Sequence, residues 1–399
     1  GNKFVSHAFN NGASISINEN KKKNKFKNNI YVKNSLKTFS EIAKLIRVSS
    51  NISSVAITGS SGKTSLKEML GQMMNKIYQT SYSKKSFNNK YGVPISLFNI
   101  NKEDKIGIFE VGMDKKGEID FLTRKIMPDV GIITNISYAH IKNFNNLKGV
   151  ANAKSELINN ITENGTIILN ADDKFFKFFK SKSIKNKLNI ISFGIQKKSD
   201  VSLIKIKKGK SRSIINIKYY EKELIFIIKK NLESYVYNIL STLAALSIYF
   251  DLEKLDKYFF NDFKFPEGRG DLNIINLKEK KINLIDESYN SNPLSLKSAL
   301  LNYDKINSKK AKKFLLLGDM LELGGHSKKL HNSMVPIINK TNIDKVYVKG
   351  KDVSGIFNKI SKSKKGKILN NKSQIIELIK KDLDNNDYLM IKASNATGF

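Results

Sequence analysis

The chain has 399 residues, 27% of them charged and 40% hydrophobic, with a formal net charge of +34 and no cysteine. That length suits about two or three domains, each able to bury a core. The lack of cysteine excludes disulfides and thiolate metal sites and fits a reducing cytoplasm; no apolar run spans a bilayer and no secretion signal opens the chain, so membrane insertion is not expected.

The charge invites a nucleic-acid reading, but the composition argues against it. Arg47, Arg124, Arg212 and Arg269 are the only arginines, and the lysines are scattered through helices and loops. Nucleic-acid readers lean on arginine for forked and stacked contacts, so the charge reads as a solvated surface.

Along the chain, residues 1–50 give a short helix (Phe4 to Asn11), an apolar run at Ile15–Ile17, a lysine–asparagine loop, a strand at Asn29–Val32 and a helix around Thr38–Ile46. With Gly1 already inside sequence of folded character and Phe399 just past an apolar strand, this segment is expected to be part of a small α/β domain. From residue 51 to 262 short apolar runs recur at Val55–Thr58, Ile106–Val111, Val130–Asn135, Thr166–Asn170 and Ile190–Phe193. Such runs, bounded by Gly, Asn or Asp, predict buried parallel strands with helices between them. Val201–Ile206, Ser213–Tyr219 and Glu223–Ile228 alternate instead like antiparallel strands, and Asn146–Ile161 and Tyr235–Tyr249 read as helices. Phe265-Pro266-Glu267-Gly268-Arg269-Gly270 is a turn-rich hinge. Residues 263–399 then restart the alternation, with strands at Ile282–Ile285, Phe314–Leu317, Lys345–Val348 and Tyr388–Lys392 and helices at Leu294–Asn302, Ser327–Asn339 and Ser373–Leu383. The fold class is α/β: a central P-loop ATPase-like doubly wound domain, a C-terminal Rossmann-like domain and a partial N-terminal one.

The chemistry starts at Thr58-Gly59-Ser60-Ser61-Gly62-Lys63-Thr64, between a strand and a helix. Glycines let the backbone approach an anion, and free N–H groups at the helix start point at it. Lys63 supplies a charge for phosphates and Thr64 a hydroxyl for Mg²⁺. A standard eight-residue loop begins with glycine where this chain has Ile57. Glu110 closes the next buried strand, where ligands of open α/β sheets gather, and reads as a metal ligand when paired with the loop. His140 follows a third strand end, where an imidazole can be structural or can reach a second metal. Lys154 read alone is a surface lysine.

These motifs, in this order, resemble the Mur ligases of peptidoglycan synthesis: Thr58–Thr64, Phe87-Asn88-Asn89-Lys90-Tyr91-Gly92-Val93-Pro94, Glu110-Val111-Gly112 with Gly117-Glu118-Ile119, Thr134-Asn135-Ile136 to His140, and Ala153-Lys154-Ser155-Glu156. Asp286–Pro293, Leu317–Gly324 with His331, and Lys392-Ala393-Ser394 point within that family to the member that adds D-alanyl-D-alanine to UDP-N-acetylmuramoyl-tripeptide. The resemblance implies that Gly59, Ser60, Ser61, Gly62, Lys63 and Thr64 hold ATP, that Thr64, Glu110, His140 and Lys154 serve one or two Mg²⁺ ions, and that Lys154 is carbamylated. It implies an adenine contact at Asn238 and nucleotide contacts at Arg269, Asp286 and Asn290. Asn88, Asn89 and His331 are expected on the substrate side, and Lys63, Lys154 and His140 at the chemistry. It further implies a cytoplasmic monomer without a nucleic-acid partner. Ser86, Glu287 and Leu232–Tyr235 depart from the usual family pattern, and the Asp-Ser-Arg segment expected before the loop is missing. Three alternatives stay open: a related tripeptide or folylpolyglutamate synthetase, a basic ATP-dependent nucleic-acid factor, and a chain that binds ATP without turnover. The tripeptide synthetase normally carries Asp-Asn-Pro-Arg, which is not found here.

Overall fold

The computed structural model describes residues 4–19, 28–196, 198–277, 280–306 and 311–399. Most of the lysine–asparagine loop expected after Ile17 lies outside them. In the N-terminal part β1 (Ser16–Asn18) pairs in parallel with β2 (Asn29–Tyr31), and the helix Ser35–Ser49 follows. Arg47 of that helix is buried and ties it to what comes next, donating to the carbonyls of Ile126 and Met127, to Ser54 Oγ and to Asp129.

Nine strands follow among the described residues: β3 (Ser53–Thr58), β4 (Thr80–Tyr82), β5 (Ile106–Glu110), β6 (Val130–Ile133), β7 (Thr166–Asn170), β8 (Asn189–Gly194), β9 (Val201–Lys208), β10 (Arg212–Tyr219) and β11 (Lys222–Lys229). They form one sheet in the order β11-β10-β9-β8-β7-β6-β3-β5-β4. From β4 to β8 the pairing is parallel, and all of these strands except β4 carry the expected apolar runs. Successive side chains point to opposite faces. Val55 and Ile57 therefore pack with Met69, Leu70 and Leu243 on one side, while Ala56 and Phe109 face a second core on the other. The antiparallel segment predicted between residues 200 and 230 is not separate. β9 pairs in parallel with β8 through Phe193 and Gly194, and β10 and β11 continue the sheet from there. The helix Val236–Leu246, almost wholly buried, covers it.

Residues 271–392 build a second sheet of β12 (Asp271–Asn276), β13 (Lys281–Glu287), β14 (Lys313–Gly318), β15 (Lys345–Lys349), β16 (Lys365–Ile368) and β17 (Tyr388–Lys392), ordered β12-β13-β17-β14-β15-β16. Only β12 runs antiparallel to its neighbour.

Two predicted helices are interrupted. Residues 146–161 form an α-helix only over Leu147–Lys154 and tighten to a 3-10 helix over Ser155–Asn160. Residues 327–339 split into Ser327–Asn332 and Val335–Lys340, the second carrying Pro336 in its first turn, where a missing N–H does no harm. Among the described residues no helix is long and apolar enough to cross a membrane.

Candidate active site

β3 lies between β5 and β6, so three neighbouring strands end together at their carboxyl edge, where the loop after β3 begins. Gly59 has φ +150°, and a Cβ there would sit 1.8 Å from Thr134 Oγ1. Only glycine lets this loop press against the end of β6. The end of β6 in turn holds the loop: Ser60 N–H donates to the Asn135 carbonyl at 2.8 Å, Ser61 N–H to Asn135 Oδ1 at 3.0 Å, and Thr134 Oγ1 to the Ser61 carbonyl at 2.7 Å. Gly62, at φ +82°, turns the chain into the helix Lys63–Met74. The amides of that first turn have no intrahelical acceptor, which leaves an anion site.

A cleft of about 1240 Å³ opens above this edge. Ser60, Ser61, Gly62, Lys63 and Thr64 line it, whereas Gly59 lies beneath as backbone support. Lys63 reaches back to its own loop, donating to the Gly59 carbonyl at 2.9 Å, and burial lowers its pKa despite the opposing pull of Glu110. Thr64 Oγ1 meets Ser86 Oγ at 3.2 Å and accepts from Arg269 at 3.2 Å. Glu110 is 1% exposed; Asn88 donates to its Oε1 at 2.7 Å, while its Oε2 has no hydrogen-bond partner among the described residues. A buried carboxylate oxygen with nothing to bind, beside a threonine hydroxyl and a phosphate loop, fits a hard cation.

His140 lies in the cleft at φ +56°. Its Nδ1 is 2.9 Å from Asp114 Oδ1 and 2.5 Å from Glu322 Oε2, and the imidazole holds the Glu322 carboxyl below its usual range. Asp114, His140 and Glu322 each offer a ligand atom within 4.8 Å of the others. Sequence reasoning missed the two acids, because only the third dimension joins residues 114 and 322. Lys154 is not a surface lysine. It is 1% exposed, and burial, with the Lys63 charge as a second cause, drives its pKa well below the ordinary value.

Asn238 lines the far end of the cleft with Ser241 one turn on, and both Asn238 Nδ2 and Ser241 Oγ are buried without partners among the described residues. The second sheet supplies the opposite wall. Arg269 stacks on Tyr289 at 4.4 Å, and Asn290 lines the cleft. Asp286 does not line it: its carboxylate accepts from Ser288 N–H at 2.9 Å and Oγ at 2.6 Å, and so shapes the turn that carries Tyr289 and Asn290. Asn292, unassigned from sequence, caps the helix Pro293–Asp304 and donates to Ser61 Oγ at 2.8 Å. Its signal was local, an asparagine before a proline at a helix start. Asn88 and Asn89 both line the cleft; Asn89 Oδ1 also accepts from Tyr91 N–H and Gly92 N–H, each at 3.0 Å.

His331 corrects an expectation. It does not line the cleft and is 1% exposed, with Nε2 accepting from Met320 N–H at 3.1 Å and Nδ1 donating to the Ser327 carbonyl at 2.9 Å. Both ring nitrogens are used inside the C-terminal fold, so the ring has nothing left for a substrate.

A P-loop facing a second α/β unit across one cleft defines a nucleotide-site protein with a closing partner sheet. The family model for the Mur ligase middle domain matches residues 57–246, and that for the Mur ligase glutamate ligase domain matches residues 272–395. The chain belongs to the Mur ligase family. It is 33% identical over 377 residues to the UDP-N-acetylmuramoyl-tripeptide–D-alanyl-D-alanine ligase of Rickettsia prowazekii, covering 92% of this chain and 80% of that one. The Bacillus subtilis protein of the same name is 26% identical over 408 residues, covering 99% and 85%. Among solved structures, MurF from Acinetobacter baumannii superposes with a TM-score of 0.86 at 25% identity, covering all of this chain and 85% of that one. MurF from Thermotoga maritima, solved in complex with ADP, shares the fold with a TM-score of 0.85 at 23% identity, covering 99% and 88%.

Proposed function

We propose that this chain is the ATP-dependent ligase that joins D-alanyl-D-alanine to UDP-N-acetylmuramoyl-tripeptide in cytoplasmic peptidoglycan synthesis. The observation that carries the reading is the meeting, in one cleft, of the phosphate loop, the orphaned Glu110 oxygen and Arg269 and Asn292 of the second sheet. We divide the chain into a partial N-terminal domain (1–50), a central ATP domain (51–262) and a C-terminal ligase domain (263–399), in keeping with the β1–β2 pair and the two larger sheets.

In the proposed reaction the tripeptide carboxylate attacks the γ-phosphate of ATP, giving an acyl phosphate and ADP. The dipeptide amine then attacks the acyl carbon and phosphate leaves. Lys63 exchanges the Gly59 carbonyl for phosphate oxygens and offsets the repulsion between carboxylate and triphosphate. Arg269 and Asn292 draw the second sheet over the loop, which orders the reactants and excludes the water that would hydrolyse the acyl phosphate. Thr64 and Glu110 would hold Mg²⁺, with His140 and Lys154 serving a second ion; bound there, the metal supplies positive charge to the transferring phosphoryl group. Lys154 suits carbamylation because burial favours its neutral amine, the form that reacts with CO₂. Asn238 and Ser241 offer their unpartnered groups to the base, and Asn88 and Asn89 face the muramyl peptide.

Phosphate release is the test. It should require both UDP-N-acetylmuramoyl-tripeptide and D-alanyl-D-alanine, and Lys63→Ala should abolish it. Release indifferent to the dipeptide would refute the assignment.

A further inference from the structure

Lys67 stands one turn beyond Lys63 on the helix that follows the phosphate loop, and it is fully buried. An ammonium is taken out of water at a high cost unless each N–H finds an acceptor. Here all three do: Nζ donates to the Ser83 carbonyl at 2.6 Å, to the Lys85 carbonyl at 2.8 Å and to Glu68 Oε1 at 2.5 Å. The two carbonyls lie just past Tyr82, the last residue of β4 paired to β5. One further ladder bond, from Ser83 N–H to the Ile108 carbonyl at 3.0 Å, holds the chain to β5, and beyond it Ser86, Asn88 and Asn89 line the cleft.

That segment delivers two contacts to the site. Ser86 meets Thr64 Oγ1 at 3.2 Å, and Asn88 donates to Glu110 Oε1 at 2.7 Å while its carbonyl accepts from Gly112 N–H at 2.8 Å. Between anchor and contacts, Lys85 is held at φ +49°, a left-handed conformation that a residue with a side chain adopts when its surroundings impose it. The bond from Lys67 to the Lys85 carbonyl is one such constraint. Lys67 does not line the cleft.

We infer that Lys67 is a positioning residue, whose ammonium locks residues 83–88 so that Ser86 and Asn88 set the Thr64 hydroxyl and the Glu110 carboxylate for a divalent cation. The same lock aims Asn88 and Asn89 at the acyl substrate. One helix thus binds phosphate through its first turn and fixes the substrate loop through its second. The substrate half of this inference rests on the ligase function proposed above; the cation half does not.

The experiment compares wild type with Lys67→Met, which keeps an unbranched chain of similar length, and Lys67→Arg, whose planar fork is misplaced in a fully packed site. Three quantities are read: affinity for a fluorescent ATP analogue in EDTA, Mn²⁺ affinity by electron paramagnetic resonance, and KM for the UDP-linked tripeptide against KM for ATP. In the folded variants, Mn²⁺ affinity should weaken and tripeptide KM rise by about fivefold or more, while metal-free nucleotide affinity stays within about twofold. Unchanged Mn²⁺ affinity in a folded variant overturns the inference. So does metal-free nucleotide affinity that falls in parallel, since that marks a general packing defect. Failure of both variants to fold also overturns it, by making Lys67 a folding residue. If wild type turns over without needing the tripeptide, the ligase reading fails while the Mn²⁺ measurement still decides the role of Lys67.

Discussion

Arg269 is the clearest place to perturb closure of the second sheet on the phosphate loop. Its guanidinium donates to Thr64 Oγ1 at 3.2 Å, lies 4.4 Å from the centre of the Tyr289 ring, and is held from behind by Tyr235, whose hydroxyl donates to the Arg269 carbonyl at 2.6 Å. Replacement by alanine keeps that backbone contact and removes the other two. A hydrogen bond from a charged donor contributes about 1.5–3 kcal/mol, and the length of this one puts it at the lower end. A cation–π contact in a cleft open to solvent adds about 0.5–1 kcal/mol. Together they come to about 2–3 kcal/mol, or about 30- to 150-fold in kcat/KM for ATP. The assay is ADP release with both acyl and amine substrates present, alongside a thermal melt. Arg269→Lys should recover little, because a compact ammonium does not stack flat on Tyr289 while reaching Thr64. A folded alanine variant within about threefold of wild type would show that Arg269 does not hold the cleft closed.

Lys154 and His331 give contrasting tests. Lys154→Ala should lose activity that short carboxylic acids partly restore, and full activity without them would end the carbamate proposal. The same lysine predicts a pH effect in CO₂-free, chelator-treated buffer. Unfolded, it keeps its proton up to about 10.5, whereas the buried side chain releases it lower. Between those two values the unfolded chain binds more protons, so stability rises with pH through that window, and below it the cost of the buried charge is constant. Lys154→Met should therefore be more stable than wild type near neutrality in urea titrations, with the advantage shrinking toward the upper limit; a methionine variant less stable throughout would contradict this. His331→Ala should destabilise the chain by about 2–3 kcal/mol through lost packing and an unpaired Met320 N–H. Its KM values for all three substrates should stay near wild type, and a selective rise in one would restore a substrate role.

Much of this architecture was legible because the strands that build it carry unambiguous signals. Val55–Thr58 and Ile106–Val111 are apolar on both faces, as parallel strands between two cores must be. Glu110 was readable for the same reason: an acid ending such a run has nowhere to go but the carboxyl edge. The missed strands β4, β12 and β16 lack that pattern. β16, Lys-Gly-Lys-Ile, is an edge strand, where lysine and glycine suit an unpaired flank and leave no alternation to detect. At the site, local sequence reported residues whose place is fixed by their own loop, such as Lys63 and Thr64. It could not report that Glu322 reaches His140 or that Asn292 reaches Ser61, contacts made only when two sheets face each other. His331 went astray because a histidine inside a recognised motif carries no mark of which way it points.

The contact between Asn292 and Ser61 brings together the starts of two helices, Lys63–Met74 and Pro293–Asp304. Each start carries roughly half a positive charge from its aligned peptide dipoles. The two positive poles oppose each other where the Asn292–Ser61 bond joins them, and in the proposed reaction the triphosphate of ATP offsets that repulsion. On the proposed function the triphosphate would thus act as a counter-ion between the two helix starts as well as a reagent. Under the proposed reaction, losing one phosphate to the acyl group would weaken this counter-ion attraction and so couple phosphate transfer to release of the second sheet.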